Sequence, residues 1–388
     1  MNKLPDKIPV LHIVTAAPQN ARGLMEFVNA RNDDNTHYFL FDSTIQILNQ
    51  WPEWCKYQYC GLFLPGGSKL KRYRFIKQAI ERADKVVLYG MYFSRKIYYF
   101  LLHWNPQLLK KFTWIEWGAD LYEWRAPVTG FISRKMDQIG QEIRDRIPQV
   151  VLTFPVDELI FRRNHGNFAE TIPLSLPSTR PMLPRIDAAY AEKKTDKLRI
   201  QVGHNGLLST NQIRTLDTLS KFKDENIQVV IPLAYNIGNL SNTIDKQAYK
   251  SAVISVAKNY FGNKAVPFVN MIRLDYYMRY LWTVDIVIFD FKRPCGLGNL
   301  FFMIYMGKKV FLPADSDYYK FLTDNGIKVY DTNRISEMSF EEFSAPPEPS
   351  DPSFINDLYD YEKNIRSWEQ LFATWTGKEL PNTDQEAE

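Results

Sequence analysis

The chain has no long hydrophobic run: the nearest approach to the roughly 20 uninterrupted apolar residues that span a bilayer, residues 86–104, is broken by Arg95 and Lys96. That argues against a helical membrane span. Cysteine is scarce, and Cys55, Cys60 and Cys295 have no metal-ligand spacing and leave an odd thiol, which suits a reducing cytoplasm. Residues 1–10 carry Asp6 and prolines and lack an apolar signal core, so nothing there directs export. There is no P-loop and no complete G-x-G-x-x-G, which argues against an ATPase or an NAD enzyme.

What is present points to a soluble α/β protein of two domains. A length of 388 residues is too great for one ordinary core, and a 45% hydrophobic composition can fill two. Short apolar strands are predicted at 10–14, 36–41, 58–64, 85–89 and 112–117, with helices at 20–30, 68–84 and 93–102 between them. A second alternating series follows, with strands at 198–202, 228–232, 266–270, 286–289 and 309–312 and helices at 210–222, 249–260, 274–283 and 297–306. Pro173, Pro177, Pro181 and Pro184 and the charged run 192–197 mark the join. The expected organisation is an N-terminal Rossmann-like domain over 1–180, a linker over 181–197 and a second Rossmann-like domain over 198–345. A crossing segment and apolar-sided helix over 346–376 would return to the first domain, and 377–388 would be a disordered tail.

Chemistry concentrates in three places. Residues 114–123 place Glu116, Asp120 and Glu123 among Trp114, Trp117 and Tyr122 at the predicted end of a strand. Carboxylates beside aromatic surface are costly to desolvate, so they mark either a cleft or an acidic first helical turn. In a doubly wound sheet ligands bind beyond the carboxyl ends of strands, so Gly90 and this cluster would share one crevice. Two glycine turns follow strands of the second series: Gly203-His204-Asn205-Gly206, before a helix capped by Ser209 or Thr210, and Lys292-Arg293-Pro294-Cys295-Gly296-Leu297-Gly298-Asn299. Glycines admit a close diphosphate, a helix start offers unpaired N–H groups, and Arg293 adds a fork of donors. Together they favour a nucleotide-diphosphate ligand. No aspartate-rich D-x-D triplet is placed to hold Mg²⁺ or Mn²⁺, so neither metal nor cofactor is expected.

The third place is residues 66–111, where eleven Lys or Arg face two acids, Glu81 and Asp84, with Tyr73, Phe75, Tyr98, Phe100 and Trp104 interleaved. This suits an anionic membrane surface, or an ordinary solvated helix pair. No nucleic-acid motif accompanies it.

Trp114 with Trp117-Gly118-Ala119-Asp120-Leu121-Tyr122-Glu123, Val202-Gly203, 229–232 with Tyr235, Leu274-Asp275 with Tyr277 and Asp285, and Arg293 with Gly296 and Gly298 resemble glycosyltransferase family 56, the TDP-N-acetylfucosamine:lipid II N-acetylfucosaminyltransferases. The resemblance runs from about residue 86 to residue 322. The chain departs from the family pattern at 238–246 and at Pro294-Cys295. The resemblance implies a GT-B fold of two facing Rossmann-like domains, a nucleotide-diphosphate sugar donor in the second, and a polyprenyl-diphosphate-linked saccharide acceptor at the cytoplasmic membrane face.

The roles expected are Asp120, with Glu123 and Glu116 as alternatives, as the base or acceptor-orienting carboxylate. Lys292, Arg293 and the amides around Gly296 and Gly298 would stabilise the leaving diphosphate. Gly203, His204, Asn205, Gly206 and Asn299 would line the same donor site, and Tyr235 would stack on the base. A sugar-nucleotide epimerase, a polysaccharide pyruvyl transferase and a non-catalytic membrane-associated sugar-nucleotide-binding protein are the competing readings.

Overall fold

The structure, a computed structural model, describes residues 4–14, 18–30, 36–41, 60–63, 68–91, 96–116, 118, 120–121, 131–166, 168–176, 181–234, 243–291, 296–351 and 353–377. The chain divides into two compact units, residues 1–180 with 360–388 and residues 181–359.

The first unit is built on seven parallel strands: β1 (Ile8–Val14), β2 (His37–Phe41), β3 (Cys60–Phe63), β4 (Ala83–Tyr89), β5 (Phe112–Ile115), β6 (Gln149–Leu152) and β7 (Glu170–Pro173), in the order β3-β2-β1-β4-β5-β6-β7. Strand order reverses between β1 and β4, the switch point at which open α/β sheets bind ligands. The central strands are buried on both faces, as parallel strands covered by helices must be.

Two of these strands escape the sequence reading, which ends the first series near residue 117. The Phe131–Arg144 helix leads into β6, and the Pro155–His165 helix leads into β7. Strand β6 has only four residues, and β7 is a half-exposed edge strand that ends in Pro173, which an edge position tolerates. Neither carries a period long enough to register.

The second unit is a six-stranded parallel sheet of β8 (Leu198–Val202), β9 (Ile227–Pro232), β10 (Ala265–Phe268), β11 (Ile286–Ile288), β12 (Lys309–Leu312) and β13 (Tyr330–Asp331), in the order β10-β9-β8-β11-β12-β13. Its switch point lies between β8 and β11. The expected linker belongs to this unit. Pro181 opens the Met182–Ala188 helix, Leu183 and Ile186 are buried, and the Trp282 indole donates to the Ile186 carbonyl at 2.7 Å. The prolines here start a helix rather than keep the chain apart.

The expected C-terminal helix is two helices, Ser353–Leu358 and Tyr361–Thr376, and the units divide between them. Asp360 is the cause: its side chain accepts from Lys363 N at 2.9 Å and restarts the helix. Ile365, Trp368, Leu371 and Phe372 then bury against Val10, Val14, Phe27 and Val28 of the first unit. The Trp368 indole donates to the Ser175 carbonyl at 2.7 Å, and that of Trp375 to Gln149 Oε1 at 3.0 Å. Among the described residues no helix is long and apolar enough to cross a membrane.

Candidate active site

In the second unit the two glycine turns meet because β8 and β11 are neighbours. Gly203 leaves β8 at φ +66°, a left-handed conformation that glycine adopts at little cost, and donates to the Ile288 carbonyl at 2.9 Å. Gly296 precedes the Leu297–Tyr305 helix at φ +72°. The His204 ring lies across it, so close that a Cβ added to Gly296 would stand 2.5 Å from His204 Cγ.

Gly206 is needed for packing as well, since its Cβ would stand 2.5 Å from Lys250 Cε and 3.0 Å from the Leu233 carbonyl oxygen. Gly298 differs. A Cβ there meets no described atom within 4 Å. Gly296, having no side chain, supplies no cap to the helix start that Gly298 occupies, and first-turn amides of this kind suit an anion.

Not every expected donor residue faces outward. Asn205 is fully buried, paired with His204 Nε2 at 2.7 Å and accepting from Leu207 N at 3.0 Å; it shapes the turn. Asn299 donates to the Tyr277 hydroxyl at 3.1 Å. Behind it, Gln201 on β8 accepts from the Tyr280 hydroxyl at 3.0 Å and donates to the Gly203 carbonyl at 2.9 Å. Burial pushes the Tyr277 phenol well above its ordinary range, against hydrogen bonds from Gln201 and Asn299 that favour the ionised form. This brace of Gln201, Tyr277 and Asn299 was invisible in the sequence, because its members lie on three separate elements.

The expected helix cap at Ser209 or Thr210 is not formed. Thr210 donates to the Leu207 carbonyl within a 3-10 turn, and Asn211 enters the Gln212–Leu219 helix at φ +49°. A triplet with D-x-D spacing, Asp315-Ser316-Asp317, does occur after β12. There Ser316 accepts from Tyr319 N at 3.1 Å and starts a helix. Among the described residues no cluster of His, Cys, Asp and Glu is arranged as a metal site. Tyr235, Lys292, Arg293 and Glu123 lie outside the described residues.

In the first unit Glu116 and Asp120, the described members of the acidic cluster, lie with Gly90 beyond β4 and β5. Asp120 Oδ2 accepts from the Met91 backbone N at 2.9 Å and from the Trp114 indole at 2.7 Å. Asp120 is 6% exposed, so two fixed donors orient one of its oxygens and little of it is open.

Glu116 is fully buried, against the expectation that it could meet an acceptor. Its Oε1 accepts from Thr153 N at 3.0 Å and Thr153 Oγ1 at 2.7 Å, and its Oε2 from Gly118 N. Burial first, then Asp157 and Asp120, push its carboxyl well above the usual range. Asp157, also fully buried, comes from the first turn of the Pro155–His165 helix. Its only sequence signal was an acid near a helix start, which the helix dipole alone would explain.

The crystal structure of Anabaena Alr3699/HepE in complex with UDP and glucose is similar at a TM-score of 0.64 and 9% identity, covering 94% of this chain and 99% of that one. A glycosyltransferase from Rickettsia africae ESF-5 is similar at 0.61 and 14%, covering 96% and 99%. Sucrose-phosphate synthase from Thermosynechococcus elongatus is similar at 0.60 and 11%, covering 96% and 100%. At these identities the likeness concerns the fold, which is GT-B. Residues 9–345 match the family described as 4-alpha-L-fucosyltransferase, glycosyl transferase group 56, and the chain therefore belongs to that family and is a glycosyltransferase.

Proposed function

We propose that the enzyme moves a sugar from a nucleotide-diphosphate donor to a polyprenyl-diphosphate-linked saccharide in bacterial surface polysaccharide synthesis, working at an anionic membrane surface on its inner, cytoplasmic side. The observation that carries the donor site is Gly298. A glycine inside a helix costs about 0.5–1 kcal/mol relative to alanine, and nothing described in the protein crowds this one. A close diphosphate on the first-turn amides accounts for it. HepE, whose crystals hold UDP and glucose, supports a nucleotide sugar as the ligand class. The family resemblance favours a deoxyhexose such as N-acetylfucosamine as the sugar.

Transfer requires that the acceptor hydroxyl lose its proton and that charge growing on the diphosphate be stabilised. In this reading Asp120, oriented by Trp114 and Met91, takes or directs the proton. The amides after Gly296, with Lys292 and Arg293, meet the departing diphosphate. No metal or cofactor enters the scheme.

A membrane face is supported by the Lys69–Arg82 and Lys96–Trp104 helices. Lys69, Lys71, Arg74 and Lys110 are exposed, Leu70 is 57% exposed and Trp104 65%, and the Phe100 and Trp104 rings stack at 5.3 Å. Asn105 Nδ2 reaches the Tyr73 hydroxyl at 3.4 Å and ties the two helices together. Cations and interfacial aromatics side by side fit an anionic headgroup layer.

The test is nucleotide release from a panel of nucleotide sugars, with and without prenyl-diphosphate glycans. Acceptor-dependent release is expected. Asp120→Asn should lower kcat by about 10²–10⁴, and Arg293→Ala should weaken donor use, with circular dichroism showing both variants folded. Release that ignores the acceptor, conversion of the nucleotide sugar alone, or two variants within a few fold of wild type would reject the proposal.

A further inference from the structure

Asp157 is a buried acid that the scheme above leaves idle. It and Glu116 are both fully buried and lie on consecutive β-α segments, and the Asp157 carboxyl stands close enough to raise that of Glu116. Two carboxylates in contact and out of water cannot both stay ionised, so such a pair retains a proton.

The surroundings say which partner keeps it. Asp157 sits in the first turn of the Pro155–His165 helix, where the helix dipole favours the anion. Glu116 can be the acid: its Oε1 accepts twice from Thr153, while Oε2 accepts from Gly118 N and has a proton to give to Asp157. Asp120 also faces Glu116 and raises its carboxyl. At the far end of the same helix, His165 packs edge-on to Trp114 at 5.8 Å and lies 3.5 Å from Asp145.

Through Glu116 the pair holds a short loop to Thr153 at the end of β6. Glu116 holds Gly118 N, Gly118 O accepts from Leu121 N at 2.8 Å, and Asp120 lies within that turn. We propose that Glu116 and Asp157 hold one proton between them and act as a positioning pair for Asp120, so that losing this proton at alkaline pH loosens the 116–121 turn and ends transfer. The last clause rests on the function proposed above; the proton and the turn do not.

Infrared difference spectroscopy and hydrogen exchange test the pair without activity. At neutral pH the wild type should show the carbonyl stretch of a protonated carboxylic acid, and Asp157→Asn should lack it, since an amide can donate to an ionised Glu116. After correction for intrinsic rates, exchange in peptides covering 116–121 should rise at alkaline pH in the wild type, by about tenfold or more, and stay flat in Asp157→Asn. The alkaline limb of kcat/KM should move up by at least about one pH unit in that variant. A wild type with no such stretch overturns the proposal, even if the variant fails to fold, and so does a variant with the same exchange profile. If stretch and exchange behave as expected but no nucleotide sugar is turned over, the proposed function fails and the pair stands.

Discussion

Gly298 and Gly296 stand two residues apart in one turn, and the structure gives them opposite reasons to be glycine. Gly296→Ala would force a side chain into a left-handed backbone and against the His204 ring, and should cost at least about 1–2 kcal/mol. Gly298→Ala should leave stability unchanged or raised by up to about 1 kcal/mol, while donor affinity falls about tenfold or more. Thermal melts with calorimetric titration of a nucleoside diphosphate separate the two; equal loss of stability in both would remove the argument for a ligand at Gly298.

His12 offers a second measurement at this scale. It is buried, 2.8 Å from His37 Nδ1 and 3.1 Å from the Tyr89 hydroxyl, and stacks on Phe39. Burial, then the nearby His37, hold its pKa well below 6.5. The unfolded chain therefore takes up the proton first. Stability is intact above about pH 6.5 and declines as pH falls below it. Urea midpoints from pH 7.5 to 5 should show that slope, and His12→Gln should flatten it.

The same scale shows what a sequence can disclose about a site. The turns at Gly203 and Gly296 were legible because strand-glycine-helix is a local pattern. The inward use of Asn205 and the Asp157 partner of Glu116 were not, because both depend on which side chains the sheet brings together from distant segments.

Among the elements, the Tyr361–Thr376 helix was legible through its period: Ile365, Trp368, Leu371 and Phe372 recur at helical spacing and all four are buried. Its start was not, since Asp360 reads as one more polar residue until its side chain is seen on Lys363 N. Trp368→Ala should cost about 3–5 kcal/mol and lower the melting of the first unit, with little change in the second. A scanning calorimeter that resolves two transitions checks this; a shift shared equally by both would contradict it. The Lys69–Arg82 and Lys96–Trp104 helices carry their own prediction. Trp104→Ala with Lys69→Glu and Lys71→Glu should reduce sedimentation with vesicles containing anionic lipid by at least about tenfold, given about 1 kcal/mol per surface cation. Binding that is unchanged, or equal on neutral vesicles, would assign the patch elsewhere.

For the whole molecule, two parallel sheets and the end of the first unit at residue 180 could be anticipated, because strand-helix repeats and a proline cluster announce themselves locally, whereas the role of residues 181–197 could not. Prolines 181 and 184 look like a hinge and instead begin a helix packed on Trp282. The family match spans residues 9–345 and stops short of the helix that completes the first unit.

That arrangement has a consequence for biogenesis. Residues 181–359 form one uninterrupted stretch and can assemble as soon as they leave the ribosome. The first unit cannot, because Val10, Phe27 and Val28 await Trp368 and Phe372, which emerge only after all of residues 181–359 have been made. While residues 181–359 are being made, the growing chain therefore carries an uncovered apolar face formed by Val10, Phe27 and Val28, a natural foothold for chaperones.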